Sequence, residues 1–156
     1  FEHFQGGVTQ ASLVEILFAA GMLAGGLLLG AGLVFKRPVR NIAGSFLTMG
    51  VTFLISGLLP ANGFAIFAIM CVLTGLAVPY YGGIQTALFQ ERIEPEYMGR
   101  VFSLIGSLAS LAMPIGLILS GLFADQVGVA NWFAASGVLV FILGLALRAW
   151  PSIRKL

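Results

Sequence analysis

Few side chains in this sequence are equipped for chemistry, and most of them lie inside or beside long apolar runs. Glu15 is the one carboxylate within such a run. An acidic side chain held at mid-membrane costs about 2.5–3.5 kcal/mol on insertion scales, so intramembrane carboxylates tend to be functional. Glu15 therefore reads as a proton-coupling or cation site, or as an interfacial carboxylate near a helix amino end, where the dipole favours it. Tyr80 and Tyr81, with Gln85 about one turn on, offer ring faces and an amide to an aromatic or cationic solute; ordinary packing accounts for them equally well. The stretch QERIEPEYMGR at 90–100 mixes both charges. It reads as a solvated loop in which Glu91, Arg92, Glu96 and Arg100 could also latch helix ends as a gate. Pro95 is expected to stop the helix before it, and Gly99 to let the chain turn into the next. His3 stands alone, Cys71 lies within an apolar run, and no clustered ligands or phosphate-binding loop occur. No metal, cofactor or enzymatic activity is expected.

These residues are carried by five apolar runs at 11–35, 42–59, 64–90, 101–124 and 130–148. Each is long enough to cross a hydrocarbon core of about 30 Å as a helix, and none shows the alternation of a barrel strand of about 10 residues. Charged residues make up 9% of the 156 and hydrophobic residues 59%, against about 25% charged in soluble domains. The mean hydropathy is +1.03. Such a chain cannot cover itself with water-facing side chains, so the fold class is all-α integral membrane with five transmembrane helices. The bilayer is the expected partner, and nucleic acid is not. A single cysteine excludes a disulfide within the chain.

Orientation follows from the eight basic residues. Lys36, Arg37 and Arg40 follow the first run, Arg92 and Arg100 the third, and Arg148, Arg154 and Lys155 the fifth, while the turns at Pro60 and Asp125 carry none. Basic residues mark the cytoplasmic side. The amino end is expected outside and the carboxyl end in the cytoplasm. An outside start calls for an odd number of earlier spans if the protein begins in the cytoplasm. With Phe1 in first place and no signal peptide, 1–156 is expected to be an incomplete carboxyl-terminal half.

Helices in lipid associate through close backbone approach at small residues. Gly21 with Gly25, and Gly26 with Gly30, are pairs four apart in the first run, and Ser103, Gly106, Ser107, Ser110, Gly116, Ser120 and Gly121 give the fourth a second small surface. Pro79 and Pro114 interrupt the third and fourth runs, removing a backbone hydrogen bond each. A break or kink is expected at Pro79, tolerated where protein or a water-filled cavity receives it. The first, third and fourth spans are therefore expected to face protein or a cavity, and the second and fifth to face lipid. Trp132 and Trp150 sit where an interfacial belt would place them.

The segment ALFQERIEPEYMGRVFSLIGSLASLAMPIGLILSGLFADQVG, 87–128, resembles the major facilitator superfamily in its tenth-to-eleventh helix region, of the macrolide-efflux type. The segment HFQGGVTQASLVEILFAAGMLAGGLLLG, 3–30, looks like the eighth helix and its lead-in. The resemblance implies helices eight to twelve of a twelve-helix fold, with an amino-terminal half as partner. It implies a secondary transporter, proton-coupled and exporting a small amphipathic drug-like solute, with this part inactive alone. Tyr80, Tyr81, Gln85 and Met113 would then line the solute cavity, with Glu15 as the proton-coupling candidate. Met113, Pro114, Ile115, Gly116 and Gly121 resemble a carboxyl-half echo of the exporters' proline-glycine motif. The connection at 30–40 keeps the basic residues of the family's cytoplasmic loop motif but lacks its acidic one. An uptake carrier or siderophore exporter of the same fold, or a membrane module that only binds a partner, are the competing readings.

Overall fold

The structure, a computed structural model, describes residues 7–34, 37–60 and 62–149, apart from the side chain of Asp125. His3, Lys36, Trp150, Arg154 and Lys155, which carry ligand, orientation or interface readings above, lie outside the described residues. The described chain forms α1 (Val8–Gly30), α2 (Pro38–Leu58), α3 (Phe64–Arg92), α4 (Pro95–Val127) and α5 (Val129–Ala149). All five are long and apolar enough to cross a membrane. The shortest have 21 residues, about 30 Å at 1.5 Å per residue.

Local chemistry sets the ends. The Gln10 side chain reaches back to accept from the Gly7 N–H at 2.6 Å, opening α1. Its other end comes before the apolar run does. Gly32 takes a φ of 78°, the left-handed value glycine supplies after a helix, and the Leu33 N–H closes on the Leu28 carbonyl at 3.1 Å. Leu33 and Val34 are apolar yet leave the helix. Gly128, with φ 90°, ends α4 in a similar way, and Asn131 Nδ2 donates back to the Val127 carbonyl at 2.9 Å.

Two sequence expectations are corrected here. The stretch at 90–100 is no loop: α3 runs to Arg92 and α4 starts at Pro95, so only Ile93 and Glu94 lie between them. Proline at a first helical position has its φ already set and an N–H it does not need, so Pro95 begins a helix as much as it ends one. Gly99 consequently lies inside α4 and makes no turn. At Pro79, α3 continues as one helix, so of the break or kink expected there the break is excluded.

The helices α5, α2, α3 and α1 pack in that order. Between α2 and α5 the contact is antiparallel and built on four glycines. Gly50 lies under Phe141, Gly57 under Ala130 and Ala134, Gly137 under Leu54, and Gly144 under Leu47. An added Cβ at Gly50 would stand 2.6 Å from the Phe141 nitrogen. Between α1 and α3 the contact is parallel: Gly21 and Gly25 lie on the backbone of Val72 and Leu76, and Gly75 answers on that of Phe18 and Met22. Gly21 and Gly25 therefore act as the small pair their spacing announced. Gly26 and Gly30 have nothing within 4 Å of an added Cβ, and neither have Gly116 and Gly121.

The helix ranking by environment is corrected for the second and fifth spans. Far from facing lipid, α2 lies between α3 and α5 and buries Asn41, Ala43, Ser45, Gly50, Thr52 and Gly57. With Gly137 and Gly144 buried, α5 packs on α2. None of the most apolar window of α4 is buried. It meets its neighbours near its ends, where Phe102 packs edge-on to Phe89 of α3 at 6.2 Å and Phe123 stacks on Trp132 of α5 at 6.0 Å.

A buried hydroxyl pair joins α2 to α3. Thr52 Oγ1 and Thr74 Oγ1 are 2.8 Å apart. Thr52 also reaches the Met49 carbonyl at 3.0 Å and Thr74 the Met70 carbonyl at 2.9 Å. Each hydroxyl has one proton, so one of the two must leave its own carbonyl when they bond. Interhelical hydrogen bonds in membranes average about 0.6 kcal/mol and reach about 1.7. Thr52→Val should therefore lower the thermal midpoint of the purified protein by only a few degrees at most, read by a melting curve in detergent.

Candidate functional site

A cleft of about 430 Å³ opens between the end of α1, the first half of α2 and the middle of α3. Its polar lining comes from Asn41, Ser45, Thr48 and Tyr80. Tyr80 donates its hydroxyl to the Leu33 carbonyl at 2.9 Å, which ties the non-helical end of α1 to α3. Ser45 donates to the Asn41 carbonyl at 2.9 Å and Asn41 Nδ2 to the Arg37 carbonyl at 3.3 Å. This leaves a cleft whose Ser45 and Tyr80 hydroxyls are tied to carbonyls but retain lone pairs that can accept from a ligand.

Of the four residues expected to line one cavity, Tyr80 alone lines this cleft. Tyr81, one step around the helix, turns to α2, where its ring meets Phe46 edge-on at 5.1 Å. Gln85 is half-buried on α3 a turn beyond Tyr81. Met113 is 80% exposed on α4. Glu15 is exposed on α1, about 10 Å along the axis from Val8 at 1.5 Å per residue.

The four gate candidates are gathered by the two-residue connection. Glu91 and Arg92 end α3, Glu96 lies in the first turn of α4, and Arg100 follows one turn later; all four are exposed. The Arg100 guanidinium carbon stands 6.0 Å from the Tyr97 ring centroid. Because successive helices alternate in direction, Arg37, Arg40, Arg92, Arg100 and Arg148 all fall at one end of the bundle. The Tyr80 cleft lies toward that end.

Sequence reasoning missed a polar stripe on α2. Asn41, Ser45, Thr48, Thr52 and Ser56 follow one another three or four residues apart, which places them along one helix face. Asn41, Ser45 and Thr52 are buried. The signal was in the spacing: polar residues on a single face of a membrane helix mark the side turned toward protein or a cavity. Asn41, Ser45 and Thr48 line the Tyr80 cleft, Thr52 meets Thr74, and Ser56 lies toward the opposite end of the helix.

The five apolar helices, with a polar-lined cleft toward the basic end, have sequence relatives among named proteins. Macrolide efflux protein A of Streptococcus pyogenes is 53% identical over 155 residues, which are 99% of this chain and 38% of that protein. The chain is a homologue of the macrolide efflux proteins. Macrolide efflux protein A of Enterococcus faecalis is 54% identical over 116 residues, 74% of this chain and 36% of that protein. The multidrug efflux pump Tap of Mycobacterium tuberculosis is 30% identical over 151 residues, 92% of this chain and 35% of that protein. The chain thus spans less than two-fifths of the length of the curated relatives it matches. No family profile and no solved structure matches it. Its membrane character is shared between the relatives' efflux names and its own five spans.

Proposed function

We propose that the chain is the carboxyl-terminal part of a secondary transporter of the major facilitator type, an antiporter of the bacterial inner membrane that exports an amphipathic drug-like solute in exchange for protons. It moves the solute and does not transform it. The observation that carries this reading is the identity with macrolide efflux protein A along 99% of the chain. The basic end of the bundle is the cytoplasmic end, by the distribution of arginines, so the Tyr80 cleft opens on the side from which an exporter loads. The bare length of α4 and the open Gly26 and Gly30 of α1 are surfaces for the amino-terminal half. Transport then proceeds by rocking of the two halves, with Glu91, Arg92, Glu96 and Arg100 at the cytoplasmic mouth.

Glu15 is the proton-carrying group in this reading. Glu15→Gln in the full-length protein should cut proton-driven efflux of a macrolide from everted vesicles by tenfold or more, at unchanged protein level. Efflux at the wild-type rate would remove Glu15 from the mechanism. Sealed liposomes holding this chain alone should show no solute flux, because half of the pathway is lacking; clear proton-driven flux from them would refute the two-half reading.

A further inference from the structure

A second cleft, of about 300 Å³, lies among α1, α2, α3 and α5. It is lined by Phe18, Phe53, Phe67 and Phe133, one ring from each of the four helices, together with Met49 and Met70. The rings of Phe53 and Phe133 meet edge-on with centroids 6.0 Å apart. Its few polar atoms belong to Ser56 and Thr74, and Val78 is its one aliphatic side chain. Phe67 and Phe133 lie in the first turns of α3 and α5, and Ser56 in the last turn of α2. The cleft therefore extends from mid-bundle, at Phe18, Met49 and Val78, toward the end opposite the arginines. The polar stripe of α2 runs from the Tyr80 cleft to this one, Ser45 lining the first and Ser56 the second.

The lining differs in kind from the surface that meets lipid. Among the described residues the large apolar side chains exposed on the outside are overwhelmingly Leu, Ile and Val, with Met22, Met113, Tyr97 and Phe123 beside them. An acyl chain is satisfied by such aliphatic groups. Four phenyl rings and two thioethers instead make a polarisable wall, which favours flat aromatic partners through edge-to-face and sulfur–aromatic contacts. The volume is at the lower limit of ordinary ligand pockets, about 300–1,000 Å³, so it accepts a compact group. Among the described residues no carboxylate lines it, and none of those that do selects a cation by charge.

We propose that this cleft is a second solute subsite, separate from the Tyr80 cleft, which receives a compact uncharged aromatic molecule or the aromatic arm of a larger solute toward the exit side of the membrane. The proposal rests on the efflux reading for its biological role, and its test does not use transport. Cys71 lines the cleft and is the single cysteine of the chain, so it serves as a reporter.

In the purified full-length protein with any cysteine outside this chain replaced, the probe is N-phenyl-1-naphthylamine in lipid nanodiscs. It should bind saturably and slow alkylation of Cys71 by N-ethylmaleimide at least fivefold. Dodecane at the same concentration should leave the alkylation rate unchanged. The paired substitution Phe53→Leu with Phe133→Leu should weaken probe binding at least tenfold while the melting midpoint holds. Equal protection by dodecane would make the cleft a lipid groove and overturn the proposal. Saturable binding that ignores the leucine pair, or no saturable binding, would overturn it as well, whatever the reactivity of Cys71. Efflux that persists without probe binding sinks the subsite alone; probe binding without efflux sinks the transporter reading and leaves the subsite standing.

Discussion

Gly137→Val should separate α2 from α5. A Cβ on Gly137 falls on the backbone nitrogen of Leu54 and stands 2.8 Å from the Gly50 carbonyl and 2.9 Å from Leu54 Cα. These are backbone atoms of a packed helix, so no rotamer change relieves the overlap, and the helices themselves must move. Overpacking of this kind typically costs about 1–3 kcal/mol and occasionally more. At roughly 2–4 °C per kcal/mol for a chain of this size, the melting midpoint in detergent should fall by roughly 5–10 °C, with a matching drop in folded yield on size-exclusion chromatography. Gly99→Ala is the control. Nothing lies within 4 Å of the added Cβ there, and alanine is the better helix former by about 0.8–1 kcal/mol, so the midpoint should hold or rise. A Gly137→Val protein as stable as wild type would mean that α2 and α5 do not pack in this register.

Gly75→Val should be as damaging at the other contact. The Cβ there falls on the Phe18 carbonyl oxygen and stands 3.1 Å from the Met22 nitrogen. Valine adds two methyl groups where the two backbones touch, so α1 must tilt away from α3. That displaces Phe18 from the aromatic cleft and strains the Tyr80–Leu33 hydrogen bond at the far end of the same helix pair. A melting midpoint lower by roughly 5–10 °C is expected on the same scale, with efflux lost along with it. Gly26→Val, one step round α1 and free of close neighbours within this chain, should leave the α1–α3 contact intact. Disulfide trapping between Cys71 and a cysteine introduced at Phe18 would separate the two cases: efficient in Gly26→Val, absent in Gly75→Val.

Sequence patterning was most informative about the existence of the elements and least about their partners. Five apolar runs became five helices because each is a continuous stretch that can satisfy its own backbone in hydrocarbon. Their ends moved where backbone chemistry outweighed hydropathy. Leu33 and Val34 belong to an apolar run but follow a left-handed Gly32, and the charged residues at 95–100 are helical because Pro95 initiates. Environment was misjudged because proline and clustered glycine were weighed above periodicity. Gly50 and Gly57 are seven apart, as are Gly137 and Gly144, and seven residues are about two turns of one face. With the polar stripe from Asn41 to Ser56, that spacing marks α2 as an interior helix. At α4 the small residues mark a surface meant for close contact, and among the described residues that surface is bare; small-residue spacing does not say which segment covers it.

At the candidate site, Tyr80 was legible as a polar aromatic within a span and is found lining a cleft. Tyr81 was not separable from it by sequence, since neighbouring positions on a helix point about 100° apart and only packing decides which way each faces. The aromatic cleft was illegible for a different reason. Its four phenylalanines come from four helices at scattered positions, and no local pattern links them.

The pairing of α2 with α5 also bears on how the protein is made. Gly50 rests against Phe141, so the two faces are separated along the chain by the whole of α3 and α4. At about 5–20 residues per second, the ribosome delivers the second face on the order of ten seconds after the first. During that interval the glycine groove of α2 lies bare in the bilayer, and the nascent protein is a substrate for membrane chaperones and proteases. Mutations in α5 should therefore act chiefly on abundance, by lengthening a window of vulnerability that the wild-type sequence closes last.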